Sequence, residues 1–179
     1  MGKIFFRIVI VFSISLFVLF SGCSKKSDSN PVAAGDQTTG AGSITLNGGG
    51  YNNTVINFSI GMAAYSSTDQ VTNCIFYGKS GSDSVLVVVA FAGTATGNYQ
   101  WEEFNQNSSF MNGVIVSFYN SSGNNKYCVP KATGQTSVIK YGTVGQTIEG
   151  SFNGSTQEIV SSSVISVSGS FKATRVPDE

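Results

Sequence analysis

The chain reads as an all-β protein, an antiparallel β-sandwich with an up-and-down β-barrel as the alternative architecture. Three observations carry this. Between residues 165 and 174, Ile165, Val167, Gly169, Phe171 and Ala173 alternate with Ser166, Ser168, Ser170, Lys172 and Thr174. That period of two marks a half-buried strand. Residues 144–153 repeat the pattern, with Val144, Ile148, Gly150 and Phe152 on the apolar side and Gln146 as the one breach. The third observation is composition. Gly, Ser, Thr and Asn make up about two residues in five, charged residues are only 11%, and no convincing helical pattern appears after residue 43.

The two alternating segments are related to each other. Residues 148–153 (IEGSFN) match 167–172 (VSGSFK) at a fixed offset. They read as a terminal hairpin closed near residues 154–162. A glycine beside an inward Phe on each strand leaves room for a neighbouring ring.

The other strands are shorter: 43–47, 54–60, 71–78, 85–92, 98–101, 113–119, 126–129 and 136–141. Residues 85–92 (VLVVVAFA) are apolar on both faces, so they read as a central strand covered on two sides. This tips the expectation towards a sandwich. Turns between the strands carry Gly, Asn and Ser, as in NGGGYNN, KSGSDS and NSSGNN.

Before the β domain lie two segments of different character. Lys3 and Arg7 precede a run without charge from Ile8 to Phe20. As a helix, those 13 residues span only about 20 Å, short of the roughly 30 Å bilayer core. A positive start, a short apolar run and then small residues form a secretory signal peptide. The small residues are Ser21 and Gly22, directly before Cys23. Residues 19–23 (LFSGC) resemble the lipobox of bacterial lipoproteins, with Phe20 in the slot where that family usually has Leu. The resemblance implies cleavage before Cys23 and acylation of that residue. It also implies a membrane anchor in the cell envelope.

Residues 24–42 (SKKSDSNPVAAGDQTTGAG) are polar, Gly-rich and aperiodic, and read as a flexible tether. The expected organisation is therefore a signal peptide over 1–22, a lipidated cysteine and linker over 23–42, and one β domain over 43–179. By resemblance to enterobacterial sorting, Ser24 in place of Asp after the lipid site favours the outer membrane. The C-terminal pair of Gly-x-Phe strands, at Gly150–Phe152 and Gly169–Phe171, is similar to the end of uncharacterised small envelope lipoproteins of Bacteroidota. That resemblance concerns fold and location and implies no chemistry.

With Cys23 lipidated, Cys74 and Cys128 remain. An even pair in an oxidising envelope reads as a disulfide. It would close a loop of about 55 residues, worth about 4 kcal/mol in the chain-entropy model. The alternative is two buried free thiols.

Charge and residue types exclude several functions. There is no His, so no His-based triad or His metal site exists. Ten basic residues balance ten acidic ones, which leaves no electrostatic footprint for nucleic acid. Gly78-Lys79-Ser80 copies the end of a phosphate loop, but Asn73 stands where the first glycine belongs and a strand follows instead of a helix. Ser137 and Lys140 copy a Ser-x-x-Lys pair, but a strand sends them to opposite faces. Glu102 and Glu103 diverge for the same reason, and Asp69 and Asp83 lack the spaced oxygens of a calcium loop.

No catalytic, metal or cofactor site is expected. Tyr99, Trp101 and Glu102 form the one ligand candidate. The two aromatics share strand parity, with amide and carboxylate neighbours suited to a sugar ring. The plainer alternative is that Trp101, the sole Trp, anchors the core. The expected function is a lipid-anchored, non-catalytic binding, adhesion or structural module, with a glycan or an envelope protein as partner. The competing expectation is a glycan hydrolase using Asp or Glu.

Overall fold

The structure, a computed structural model of the chain, describes residues 41–105 and 112–178. Ten strands make up its regular structure: β1 (Gly42–Gly48), β2 (Tyr51–Ser66), β3 (Val71–Ser80), β4 (Asp83–Ala92), β5 (Gly97–Gln100), β6 (Gly113–Tyr119), β7 (Lys126–Pro130), β8 (Gln135–Tyr141), β9 (Thr147–Glu158) and β10 (Val164–Arg175). Eight of them close on themselves. β1 pairs β2, then β3, β4, β6, β7, β9 and β10 follow in turn, and β10 returns to β1, every pair antiparallel.

The sandwich preference is thus corrected to a closed barrel. Long strands that change partner along their length make the closure. β9 pairs β8 through residues 148–153 and β7 through residues 156–158. β10 pairs β1 up to Phe171, then meets β2 directly at Thr174 and Arg175 in a short parallel contact. β5 extends the β8 branch. Gly61 sits where β2 meets β10. A Cβ there would stand 2.6 Å from the Lys172 carbonyl oxygen and 2.6 Å from the Phe76 ring.

The doubly apolar strand β4 has a different cause from the one its sequence suggested. Val85, Val87, Val89 and Phe91 belong to the barrel core. Val88 and Ala90 are also buried but lie outside that core, on the opposite parity. Their register partners include Ile75 and Ile115. The second apolar face is the barrel's outer wall, not a surface pressed against another sheet.

Side chains fill the barrel. Ile44, Ile56, Phe76, Val87, Val89, Phe91, Val114 and Ile148 are fully buried. Phe76 stacks on Phe58 at 4.9 Å between centroids and tilts against Phe171 at 5.9 Å. One end of the barrel is closed by a polar network. The Thr72 hydroxyl donates to the Gly93 carbonyl at 2.7 Å and lies 2.9 Å from the Tyr141 hydroxyl. The Arg175 guanidinium sits over the Tyr141 ring at 5.0 Å. It donates to the Gly142 carbonyl and pairs with Asp178.

Candidate functional site

The other end is open. The β1–β2, β3–β4, β6–β7 and β9–β10 turns all gather there, and a cleft of about 220 Å³ lies between the β1–β2 turn, β7 and the β9–β10 turn. Its lining includes Tyr51, Lys126, Cys128, Glu158, Ser161 and Ser163, with Ile165 as the apolar part.

The strands dictate this grouping. Cys128 and Glu158 are register partners of β7 and β9. Glu158 has the parity of Phe152, which faces the core, so its carboxylate is carried inward at the last residue of the strand. There it holds the turn that follows, accepting hydrogen bonds from the Val160 amide at 3.0 Å and the Ser161 amide at 2.6 Å. Hydrogen bonding from Ser161 keeps its pKa below the usual carboxylate value, against the opposing effect of burial. Glu158 is therefore an anion at neutral pH.

That charge shapes its neighbours. Burial, followed by the charge of Glu158, pushes the Cys128 thiol up to about 12. Tyr51 is raised to about 12 by burial and then by Cys128, Asp83 and Glu158. Its ring is held in place by stacking on Phe118 at 5.4 Å. The thiol is thus kept protonated, which is the wrong state for a nucleophile. The cleft offers hydroxyls, one carboxylate and one ammonium group beside an apolar wall. It can bind a small polar group by hydrogen bonds and charge.

The sequence candidates fall elsewhere. Trp101 follows β5 and is 3% exposed. Its indole Nε1 donates to the Thr136 hydroxyl at 2.9 Å. Its ring lies against Gly134 and Gly154, where added Cβ atoms would overlap it. Tyr99 is half-buried on the same side, tilted against Phe91 at 5.0 Å, with its hydroxyl donating to the Ala95 carbonyl at 2.7 Å. Glu102 is exposed and accepts a hydrogen bond from the Asn112 side chain at 3.2 Å. Tyr99 and Trp101 turn inward, and Glu102 turns out.

Cys74 and Cys128 are separate, buried free thiols, which corrects the expected disulfide. They sit on β3 and β7, with β4 and β6 between them. Three strand spacings put their backbones about 14 Å apart around the wall, twice the roughly 7 Å limit for a bridge. Cys23 and the leader lie outside the described residues.

Among the described residues no group of three or more His, Cys, Asp or Glu side chains is placed to hold a metal ion. No helix among them is long and apolar enough to cross a membrane. Glu103 pairs with Lys131 at 2.8 Å, and Glu149 pairs with Lys140 at 3.1 Å. Of the cleft residues, Tyr51, Lys126, Ser161 and Ser163 are not singled out by the sequence, and Glu158 enters only within the general set of Asp and Glu. Its inward parity lies past residue 153, where the alternation of apolar and polar residues gives out although β9 continues to Glu158. Comparison with protein-family models, curated proteins and solved structures finds no match to this chain.

Proposed function

We propose that this chain is a lipid-anchored lipoprotein of a bacterial cell envelope, directed to the outer membrane, whose β-barrel head is a non-catalytic binding, adhesion or structural module. The observation that carries it is the leader: Lys3 and Arg7, the uncharged run from Ile8 to Phe20, and Ser21-Gly22 directly before Cys23. One acyl chain holds a protein to a membrane only marginally, whereas two or three on one residue hold it durably.

The character of the barrel supports the non-catalytic part. Its interior is filled by side chains rather than hollowed for a substrate. Its open cleft carries one carboxylate, Glu158, already engaged in holding a turn, where glycoside hydrolysis uses a pair about 5–9.5 Å apart. The cleft is below the roughly 300–1,000 Å³ of sites that enclose a drug-sized ligand. It suits one polar ring or chain terminus of an envelope glycan or protein.

Radiolabelled palmitate should enter the wild-type chain in bacteria and not the Cys23→Ser variant. Label in the variant, or none in either, refutes the anchor. A glycan array probed with wild type and Tyr51→Ala tests the head. Binding lost in the variant places the ligand at the cleft.

A further inference from the structure

The open cleft holds two opposite charges that the fold keeps apart. Glu158 ends β9 with inward parity. Lys126 opens β7 with the parity of Cys128, a core residue, and lines the same cleft. Cys128 and Glu158 are register partners. Lys126 therefore stands diagonally across from Glu158, one strand over and two residues further out, about 7–8 Å away between backbones. The two side chains do not pair with each other. Among the described residues Lys126 forms no ion pair, and Glu158 accepts from the Val160 and Ser161 amides instead. A carboxylate has about four acceptor sites, more than these partners fill.

We propose that this cleft takes the zwitterionic head of a free α-amino acid, with the ligand's ammonium on Glu158 and its carboxylate on Lys126. The inference rests on the reading of the barrel as a binding module and names a ligand class for it. Charge selects among the candidates. A neutral sugar displaces water from both charges and returns only the hydrogen bonds of neutral groups, so the desolvation is poorly offset. An anion alone meets Lys126 but is repelled by Glu158, and also by Asp83, whose charge reaches Tyr51 in the lining. A cation alone meets Glu158 and places a like charge beside Lys126. A ligand that carries both signs compensates both groups at once.

Spacing and size restrict the ligand further. The ammonium nitrogen and carboxylate carbon of an α-amino acid are two bonds of about 1.5 Å apart. With a charge-assisted hydrogen bond of about 2.8 Å at each end, the bridge spans roughly 8 Å. That is comparable with the diagonal spacing of Lys126 and Glu158. The Ser161 and Ser163 hydroxyls, 3.0 Å from each other, border the same space and can donate to the carboxylate or accept from the ammonium. The ligand's side chain meets Ile165 and the Tyr51 ring, which Phe118 holds in place. A volume of about 220 Å³ lies below that of drug-sized sites and suits a single amino acid.

The test is isothermal titration of the full chain, purified in detergent, with leucine, leucinamide, N-acetylleucine and N-acetylglucosamine. Leucine keeps both charges, leucinamide only the positive one and N-acetylleucine only the negative one. Leucine should bind tightest, with each singly charged analogue weaker by about tenfold or more, the loss of one hydrogen bond between charged groups. Glu158→Gln can disturb the turn that Glu158 holds, so the deciding variant is Lys126→Gln, at an exposed position outside that turn. It should bind leucine and leucinamide alike. A preference for leucine that survives Lys126→Gln overturns the proposal, as does equal binding of leucine and its amide by the wild type. N-acetylglucosamine binding that is lost in Tyr51→Ala, with no heat from leucine, overturns this inference and leaves the binding-module reading standing. No heat from any of the four overturns it too, and the glycan array then decides the binding-module reading by itself.

Discussion

Phe171 on β10 occupies the space over Gly150 on β9, its register partner: a Cβ on Gly150 would come within 2.6 Å of the ring. The relation is reciprocal. Phe152 lies over Gly169 of β10, again its partner, with its ring 2.6 Å from where a Cβ would stand. The two rings stack at 6.4 Å. The repeated Gly-x-Phe thus works as one interlocked unit, in which each strand supplies a ring and the space for the other's ring.

Gly150→Ala should therefore destabilise the barrel. The new methyl meets both Phe171 and the Ser137 backbone carbonyl, and backbone cannot step aside as a side chain can. Overpacking of this kind costs about 1–3 kcal/mol, a fall of roughly 4–10 °C in Tm for a domain of this size. Thermal unfolding followed by circular dichroism checks it. An unchanged Tm would mean that β9 and β8 separate more easily than their pairing suggests.

This interlock was legible in the sequence because strand parity alone puts Gly and Phe on the inner face. Parity also places Tyr99 and Trp101 on one side, as the structure shows. The closure was not legible. It depends on β9 and β10 each exchanging partners part-way along, and on Gly61 allowing β10 to approach β2. No local pattern encodes those long-range pairings.

The run 85–92 misled for a physical reason. An apolar outer wall of a barrel reads the same in sequence as the second face of a strand packed between two sheets. Gly154 misled in another way. It looked like a turn residue, yet it lies within β9, where the Trp101 ring presses on it. The cleft was hidden along with it, because ending the strand at Asn153 discarded the parity that turns Glu158 inward.

Trp101 should be shielded from solvent. Its fluorescence is expected to resist acrylamide in the native chain and to become accessible in denaturant. Trp101→Phe removes the donor to Thr136, whose hydroxyl is fully buried. A buried polar group left without its partner costs about 1–3 kcal/mol. Urea unfolding of the variant measures it. Thr136→Val in the same background should recover part of the loss, since both polar partners are then gone.

The thiols should be silent in the folded protein. Burial raises Cys74 well above the ordinary thiol value, and burial with Glu158 raises Cys128 to about 12. A thiol reagent at neutral pH should find neither until the chain is unfolded, when both react. Intact mass should not change with reductant. The sign of the pH dependence follows. A pKa raised by folding contributes stability that is complete below the unfolded-state value and is lost as pH climbs from there towards the folded one. The barrel should weaken on the alkaline side of pH 9, and Cys74→Ala and Cys128→Ala should each flatten that slope.

Glu149 should contribute stability of the opposite pH sense. On the outer face of β9 it accepts hydrogen bonds from Thr147 at 2.7 Å and Lys140 at 3.1 Å, with Lys172 at 3.9 Å. The Thr147 bond, then Lys140, lowers its pKa below the ordinary carboxylate value. A depressed pKa gives stability that is present above the unfolded-state value and lost as pH falls through the folded one. The side chain is 29% exposed and its cations more so, so solvent and salt limit the effect to about 0.5–1 kcal/mol. Urea unfolding of wild type and Glu149→Gln should differ by that much near neutral pH. The difference should shrink towards zero as pH falls through the depressed native value, and in high salt. A difference that persists in acid would show that Glu149 acts through packing or neutral hydrogen bonding, with the two lysines contributing nothing measurable.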